Sequence, residues 1–231
     1  KVSSKTFIVY PWIDAKAIDE KIVSEIHVLK MASLLAKMHS IDLQVPEIKN
    51  SGFTIHDNDL ITDLIKRLPL KDLLEIEPLI LSLNGDCKKN LAILAELTRI
   101  THCDLDQKNI LWDAEQNPIL IDWESAGRLN PAQEIIGLAF DWNGRRSELD
   151  KNIFVRTVEK YIKDGGLINN SNLDAAFAGA FANYINWLIY NMKRCLETDV
   201  FSLEEQKIGI NEVHNSIRDF KYLIHKISHL K

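Results

Sequence analysis

Hydrophobic positions recur at helical spacing along most of the chain. Intervals of three and four residues predict a helix over about 18–41, ending on the cations Lys37 and His39, with an apolar face formed by Ile22, Ile26, Leu29, Ala32, Leu35 and Met38. The same period predicts further helices over about 58–67, 71–82, 87–99, 131–142, 147–164, 171–197 and 202–229. The fold class is therefore predicted to be mainly α.

Two short stretches break this period and predict β-structure. The apolar runs 110–112 and 119–121 enclose a polar segment that contains Pro118, which predicts a β-hairpin over about 110–122. Residues 6–9 predict an isolated strand, and Pro11 ends it because proline cannot continue a central strand. We therefore expect an α+β chain with one small hairpin set among helices.

Composition removes several classes of function. The net charge of −5 comes without a basic stripe, which argues against nucleic-acid binding. The three cysteines are too few and too far apart for a disulfide framework or a zinc site, and they favour a reducing, cytoplasmic location. No apolar run reaches the roughly 20 residues that span a bilayer, so we expect no membrane segment.

The most informative segment is His-Cys-Asp-Leu-Asp-Gln-Lys-Asn at residues 102–109. It fits H-x-D-x-x-x-x-N, the spacing of a kinase catalytic loop. Asp122 ends the second predicted hairpin strand, thirteen residues after Asn109. Because a hairpin returns the chain to its starting edge, we expect Asn109 and Asp122 to face the same edge.

Phosphoryl transfer requires this set of side chains. A carboxylate such as Asp104 can accept the proton of an attacking hydroxyl, and magnesium prefers oxygen ligands such as those of Asn109 and Asp122. His102 joins Asp104 in the candidate catalytic set, with the role of bracing the loop. The alternative is structural: Asp104, Asp106 and Asn109 also suit turns, where they cap local backbone.

Segments 101–112 and 119–127 resemble the motif pair of the aminoglycoside phosphotransferase and choline kinase-like kinases. Two weaker similarities support this: residues 7–14 resemble the family's hinge, and residues 35–40 resemble a helix end that usually reads L-A-x-L-H-S. One departure is Glu134, which stands where the family usually has a structural aspartate.

The resemblance implies a protein-kinase-like C-terminal lobe that phosphorylates a hydroxyl of a small molecule with ATP or GTP and Mg²⁺. Asp104 would be the base, Asn109 and Asp122 the metal ligands, and the hinge residues would hold the purine: Val9, Tyr10, Pro11 and Trp12. We expect residues 1–14 to form a hinge strand and connector and residues 15–231 the helical lobe. No Gly-rich loop or lysine-bearing strand precedes them, so the N-terminal lobe is expected to be absent and strand 6–9 to favour self-association.

Two other functions compete with a phosphotransferase. A lobe without its phosphate-binding partner could bind a nucleotide or other ligand without catalysis. A metal-dependent hydrolase could use His102, Asp104 and Asp122, although the other histidines are scattered and form no H-E-x-x-H pattern. The acceptor substrate and the choice between ATP and GTP are open at this point.

Overall fold

The computed structural model describes residues 11–19, 22–43, 45, 54–143, 149–168, 172–196 and 202–227. Within these ranges the chain is mostly helical, and its helices are α1 (Glu25–His39), α2 (Asn58–Arg67), α3 (Lys71–Glu96), α4 (Pro131–Asp141), α5 (Lys151–Lys163), α6 (Leu173–Cys195) and α7 (Leu203–Ile227). The strands in the same ranges are β1 (Lys16–Ala17), β2 (Arg99–Thr101), β3 (Ile110–Trp112), β4 (Pro118–Leu120) and β5 (Gly127–Leu129). No helix in this part of the chain combines the length and apolar character needed to cross a membrane.

The strands form two small antiparallel sheets. The predicted hairpin is confirmed as β3 and β4, which pair Ile110 with Leu120, and β1 adds an edge strand to β3. The second sheet pairs β2 with β5 and places Arg99 opposite Leu129. The segment between β2 and β3 is the H-x-D-x-x-x-x-N loop, so this loop runs from one sheet to the other.

Helix α4 lies between two hydrophobic clusters, and for this reason it is buried almost all round. Ile136 and Phe140 face the larger cluster, which α2, α3, α6 and α7 complete. Ile135 and Leu138 face the smaller one, formed with α1, α5 and Trp112 of β3. The smaller cluster therefore lies under the hairpin and supports the loop that precedes it.

Helix α1 is shorter and rotated relative to the prediction. It begins at Glu25 after the N-cap Ser24, whose backbone N–H donates to the His27 ring nitrogen Nδ1 over 3.1 Å. Because Ile22 lies before the helix, the predicted face shifts: Ile22 and Ile26 are 63% and 65% exposed. The buried positions are Val28, Met31, Ala32, Leu35, Ala36 and His39.

The two helices predicted over 71–82 and 87–99 are wrong in their boundaries. They form the single helix α3, which continues through the polar break at residues 83–86 and ends at Glu96. Buried Asn84 donates to the His56 carbonyl (2.9 Å) and to Asn58 Oδ1 (2.7 Å), so tertiary partners satisfy its side chain within the helix. Arg99, predicted as helical, lies in β2 because it pairs with β5, a contact distant in sequence.

The predicted strand 6–9 lies outside the described residues, and so do Val9 and Tyr10 of the predicted hinge. The self-association assigned to that strand, the division at residue 14 and the absent N-terminal lobe stay predictions.

Candidate functional site

Two members of the predicted set, Asp104 and Asn109, are in direct contact. Asn109 Nδ2 donates to Asp104 Oδ2 over 2.9 Å and to the Asp104 carbonyl over 3.1 Å. Both of these atoms accept, so the nitrogen of the amide faces Asp104 and its oxygen faces away. Asn109 is buried while Asp104 is half-exposed, which gives the carboxylate a fixed partner and access to solvent.

Asp106 has a local role in the same loop. Its side chain accepts from the Lys108 backbone N–H over 3.2 Å and caps the 3-10 turn Gln107–Asn109. This is the turn-capping alternative considered from the sequence, and it fixes the approach of Asn109 to β3.

Asp122 follows directly on a residue that is bonded to both ends of the loop. Ile121 N–H donates to the Asn109 carbonyl over 3.0 Å, and the Ile121 carbonyl accepts from His102 Nε2 over 2.7 Å. Asp122 itself is exposed and adopts the left-handed conformation, with φ 63° and ψ 59°. Asp tolerates this conformation better than most residues, and the flanking bonds over-determine it.

His102 has the geometry of a bracing residue. It is fully buried, and its ring packs against Trp123 with 4.8 Å between ring centroids. Because a carbonyl oxygen can only accept, Nε2 carries the proton in the bond to Ile121. A nitrogen that donates in this way cannot ligate a metal, which weakens the hydrolase alternative at Nε2.

Glu134 supports the base of the loop, and the resemblance implied a structural residue at this position without naming its partners. Its Oε2 accepts from the Thr101 hydroxyl (2.5 Å) and from His39 Nε2 (2.7 Å), and its Oε1 accepts from the Cys103 backbone N–H (3.2 Å). Cys103 immediately precedes Asp104 and is also left-handed, with φ 63°. The buried carboxylate therefore holds the backbone that carries the candidate base.

His39, predicted as one of the cations at the C-terminal end of α1, lies in its last turn and belongs to the same buried network. It is fully buried, because Glu134 and the Tyr161 hydroxyl engage both of its ring nitrogens. The only available signal was the L-A-x-x-H-S resemblance at the end of α1, which does not identify partners about 95 and 122 residues away.

The C-terminal end of α4 holds the middle of the loop. Trp142 Nε1 donates to the Leu105 carbonyl over 2.8 Å, and Gln107 Nε2 donates to the Asp141 carbonyl over 3.3 Å. Asp141 also accepts from the Tyr184 hydroxyl over 2.6 Å, which ties α6 to the same point. Both ends of α4 thus hold the loop, through Glu134 and through Asp141–Trp142.

The donor set fits a hard divalent cation such as magnesium. Asn109 and Asp122 offer an amide oxygen and an exposed carboxylate, and Mg²⁺ usually takes only one or two protein oxygens beside phosphate and water. Among the described residues no cluster of three or more His, Cys, Asp or Glu side chains could hold a metal, so an all-protein metal cage is not present there. A magnesium ion shared with a phosphate remains compatible with these residues.

The described part of the predicted hinge is open to solvent. Pro11 is exposed, and the Trp12 side chain is 94% exposed, so it makes little contact with the remaining described chain. The structure thus brings Asp104, Asn109 and the backbone before Asp122 together, while it places Pro11 and Trp12 on an exposed connector.

Comparisons with known proteins identify the family and the fold of the chain. The model of the phosphotransferase enzyme family matches residues 2–165. None of the curated proteins matches the chain significantly.

Solved structures of several kinases share the fold. An aminoglycoside phosphotransferase from Alicyclobacillus acidocaldarius matches with a TM-score of 0.61 at 14% identity, over 95% of this chain and 71% of its own. An ethanolamine kinase from Plasmodium vivax gives 0.58 at 14% identity, over 93% and 68%. The choline kinase LicA from Streptococcus pneumoniae gives 0.56 at 14% identity, over 90% and 67%, and its complex with AMP also matches. At these identities the similarity is one of fold.

Proposed function

The chain belongs to the phosphotransferase enzyme family, the group of aminoglycoside phosphotransferase and choline kinase-like proteins, and we propose that it transfers the γ-phosphoryl group of Mg-bound ATP or GTP to a hydroxyl of a small molecule. The observation that carries the proposal is the Asp104–Asn109 contact beside the Ile121–Asp122 backbone. This contact joins a solvent-accessible carboxylate to an amide whose oxygen faces away from it. Both groups stand on a loop that is bonded to β2, to the hairpin and to α4.

In this proposal Asp104 orients the acceptor hydroxyl and accepts its proton. The acceptor oxygen then forms a bond to the γ-phosphorus while the bond from that phosphorus to the bridging oxygen breaks, and a nucleoside diphosphate leaves. The Asn109 amide nitrogen keeps the Asp104 carboxylate in one orientation, a positional contribution that can lower the barrier substantially.

Asn109 Oδ1 and the Asp122 carboxylate would hold magnesium, which neutralises phosphate charge when bound. The left-handed backbone at Asp122 gives this carboxylate a direction set by its neighbours, since His102 and Asn109 fix the preceding residue. His102 acts through Ile121 and touches no reacting atom in this scheme. Pro11 and Trp12, with Val9 and Tyr10, would contact the purine.

The acceptor is proposed as a small alcohol of the kind named for related folds, such as an aminoglycoside, choline or ethanolamine. A homoserine-like alcohol fits the same chemistry. A fold does not determine its substrate, so a panel of these acceptors is the appropriate first screen.

A non-catalytic nucleotide-binding lobe is the second candidate. The observation that favours it is the 94% exposure of Trp12, which leaves the proposed purine contact without a facing wall in the described residues. Binding without turnover, unchanged by Asp104→Ala, is the result that this alternative predicts.

The test combines calorimetry with an activity screen. Wild-type protein should bind Mg-ATP or Mg-GTP, Asp122→Ala should lose the magnesium-dependent part, and the control Asp113→Ala should retain it. A coupled assay for nucleoside diphosphate, run with the acceptor panel, should show turnover that Asp104→Ala abolishes. Equal magnesium-dependent binding by wild type and Asp122→Ala would contradict the assigned metal ligand.

A further inference from the structure

A chain of buried hydrogen bonds extends from the catalytic loop to the loop after α5. His39 Nδ1 and Tyr161 Oη form a hydrogen bond of 2.7 Å, and Tyr161 Oη also accepts from the Leu167 backbone N–H over 3.0 Å. On its other side His39 reaches Glu134, which binds the Cys103 N–H. Leu167 and Cys103 are thereby connected through three side chains of α1, α4 and α5.

The hydrogen bonds between Leu167 and Cys103 run in one consistent direction when the His39 ring is neutral. Leu167 N–H can only donate to Tyr161 Oη, and the carboxylate of Glu134 accepts from Thr101, His39 and Cys103. His39 Nε2 therefore carries a proton, and in the neutral ring Nδ1 accepts from the Tyr161 hydroxyl. In this neutral tautomer every donor of these hydrogen bonds meets an acceptor, whereas a proton on Nδ1 would make the Tyr161 oxygen its acceptor and leave the hydroxyl proton without this partner.

Tyr161 is suited to remain a donor. Its side chain is fully buried, and this burial raises its pKa above the ordinary value for tyrosine, with a further increase from the charge of Glu134. The hydroxyl thus keeps its proton throughout the physiological range.

The loop after α5 is shaped to reach this hydroxyl. Gly166 N–H donates to the Tyr161 carbonyl over 2.8 Å, and its Cα lies so close to the ring that a Cβ would stand 2.3 Å from Tyr161 Cε1. A side chain at position 166 would therefore displace the ring or lift Leu167 away from the hydroxyl. Glycine at this position permits the close approach that the hydrogen-bond chain requires.

We propose that Tyr161 is a positioning residue for the catalytic loop, acting through His39 and Glu134 on the left-handed backbone at Cys103. Its hydroxyl fixes the ring of His39, and His39 fixes the Glu134 carboxylate that holds the Cys103 N–H. Asp104 follows Cys103, so the direction of its carboxylate depends on this backbone. The catalytic consequence rests on the proposed function, whereas the positioning itself does not.

The test is Tyr161→Phe, which removes one oxygen atom and keeps the ring. The matched control is Tyr222→Phe, because the Tyr222 hydroxyl also accepts a backbone N–H, from Leu149 of the loop before α5, but Tyr222 belongs to the other hydrophobic cluster. Hydrogen exchange of the Cys103 amide should accelerate roughly tenfold in Tyr161→Phe and remain unchanged in the control. Gly166→Ala should also accelerate exchange of the Cys103 amide, because it displaces Leu167 at the other end of the hydrogen-bond series.

Activity gives a second, separable reading. With Mg-ATP and an acceptor that the wild type uses, kcat should fall about tenfold in Tyr161→Phe while KM for Mg-ATP stays within about twofold. If the wild type shows no turnover with any acceptor, the proposed function fails, and the Cys103 amide still decides the positioning role.

A measurement on the wild type alone covers the case in which variants do not fold. The ¹⁵N spectrum of the histidine rings should show His39 protonated at Nε2, the nitrogen that faces the Glu134 carboxylate. A His39 ring without a proton on Nε2, or a Cys103 amide that exchanges equally fast in Tyr161→Phe and Tyr222→Phe, would overturn the proposal.

Discussion

The two ends of the β3–β4 hairpin carry the same residue types but are held differently. At the closed end Asp113 pairs with Asn117: Oδ1 accepts its backbone N–H over 2.7 Å and Oδ2 accepts its side-chain amide over 3.1 Å. At the open end Asn109 pairs with Asp104. Asp122 follows Ile121, whose N–H donates to the Asn109 carbonyl. A carboxylate–amide pair thus flanks each end of the hairpin.

The difference lies in what the carboxylates are used for. Distant residues support the closed end too, since Lys30 Nζ of α1 donates to the Glu115 and Gln116 carbonyls, but both carboxylate oxygens of Asp113 are used by the turn itself. The open end is supported by His102, Glu134 and Trp142, which act across 19 to 37 residues. Both ends therefore have long-range support and left-handed backbone, at Gln116 as well as at Cys103 and Asp122. The open end differs in that Asp122, the carboxylate after Ile121, is exposed and does not cap the turn that follows it.

The largest expected effect separates the two ends by activity. Asp104→Asn should lower phosphoryl transfer by roughly 10²–10⁴-fold, the usual contribution of a general base, because the amide cannot accept the acceptor's proton. Asp113→Asn should leave kcat unchanged, since its carboxylate serves only the turn. The measurement is steady-state release of nucleoside diphosphate, with folding checked by circular dichroism. Comparable losses in both variants would remove the distinction.

The next effect concerns the distant support itself. Glu134→Gln replaces an acceptor oxygen by an amide that also donates, so one donor among Thr101, His39 and Cys103 loses its partner. We expect a loss of about 2 kcal/mol in the free energy of unfolding, or roughly 4–8 °C in Tm, measured by calorimetry. Glu134→Asp restores the charge with a shorter reach and should recover part of both Tm and activity. A Tm equal to that of the wild type in Glu134→Gln would show that the buried carboxylate does not stabilise the loop.

The sequence separation of each contact explains what could be predicted from the sequence. The hairpin, α2 and the extent of α4 follow from short-range patterns, and the Asp104–Asn109 pair lies within one eight-residue motif. The buried contacts of Glu134 and His39 were not predicted, because they join residues about 31 to 122 positions apart. The β2–β5 sheet was missed for the same reason, since each strand has only three residues and no pattern of its own.

The error at α1 has a different physical origin. Ile22 and Ile26 continue the apolar period toward the N-terminus, but the helix begins only after Ser24, so the period was assigned to residues outside it. A cap at Ser24 with its reciprocal partner three residues later was the available signal. Here the partner is His27 rather than the usual Glu or Gln, which made the signal easy to miss.

The next prediction compares the accessibility of the Cys103 thiol at the open end with that of the thiols in the core. Cys87 is fully buried and burial raises its pKa to about 12, and the pKa of Cys195 is raised by burial too. Cys103 is half-buried on the catalytic loop. N-ethylmaleimide should therefore label Cys103 first, by more than roughly 100-fold over Cys87 at mildly alkaline pH, and Mg-ATP should slow this labelling. Mass spectrometry of tryptic peptides measures it, with Cys103→Ser as the control; equal labelling of all three thiols would contradict it.

The smallest expected effect belongs to the closed end and concerns pH. Hydrogen bonds from Asn117, the backbone one first, hold the pKa of Asp113 below its ordinary value. A group whose pKa is lowered by folding stabilises the protein above its unfolded-state pKa, and this contribution fades as the pH falls through the folded-state value. Wild type should therefore have a slightly higher Tm than Asp113→Asn at neutral pH, and the difference should shrink below about pH 4. A Tm difference that is constant across this pH range would show that the charge of Asp113 does not stabilise the turn.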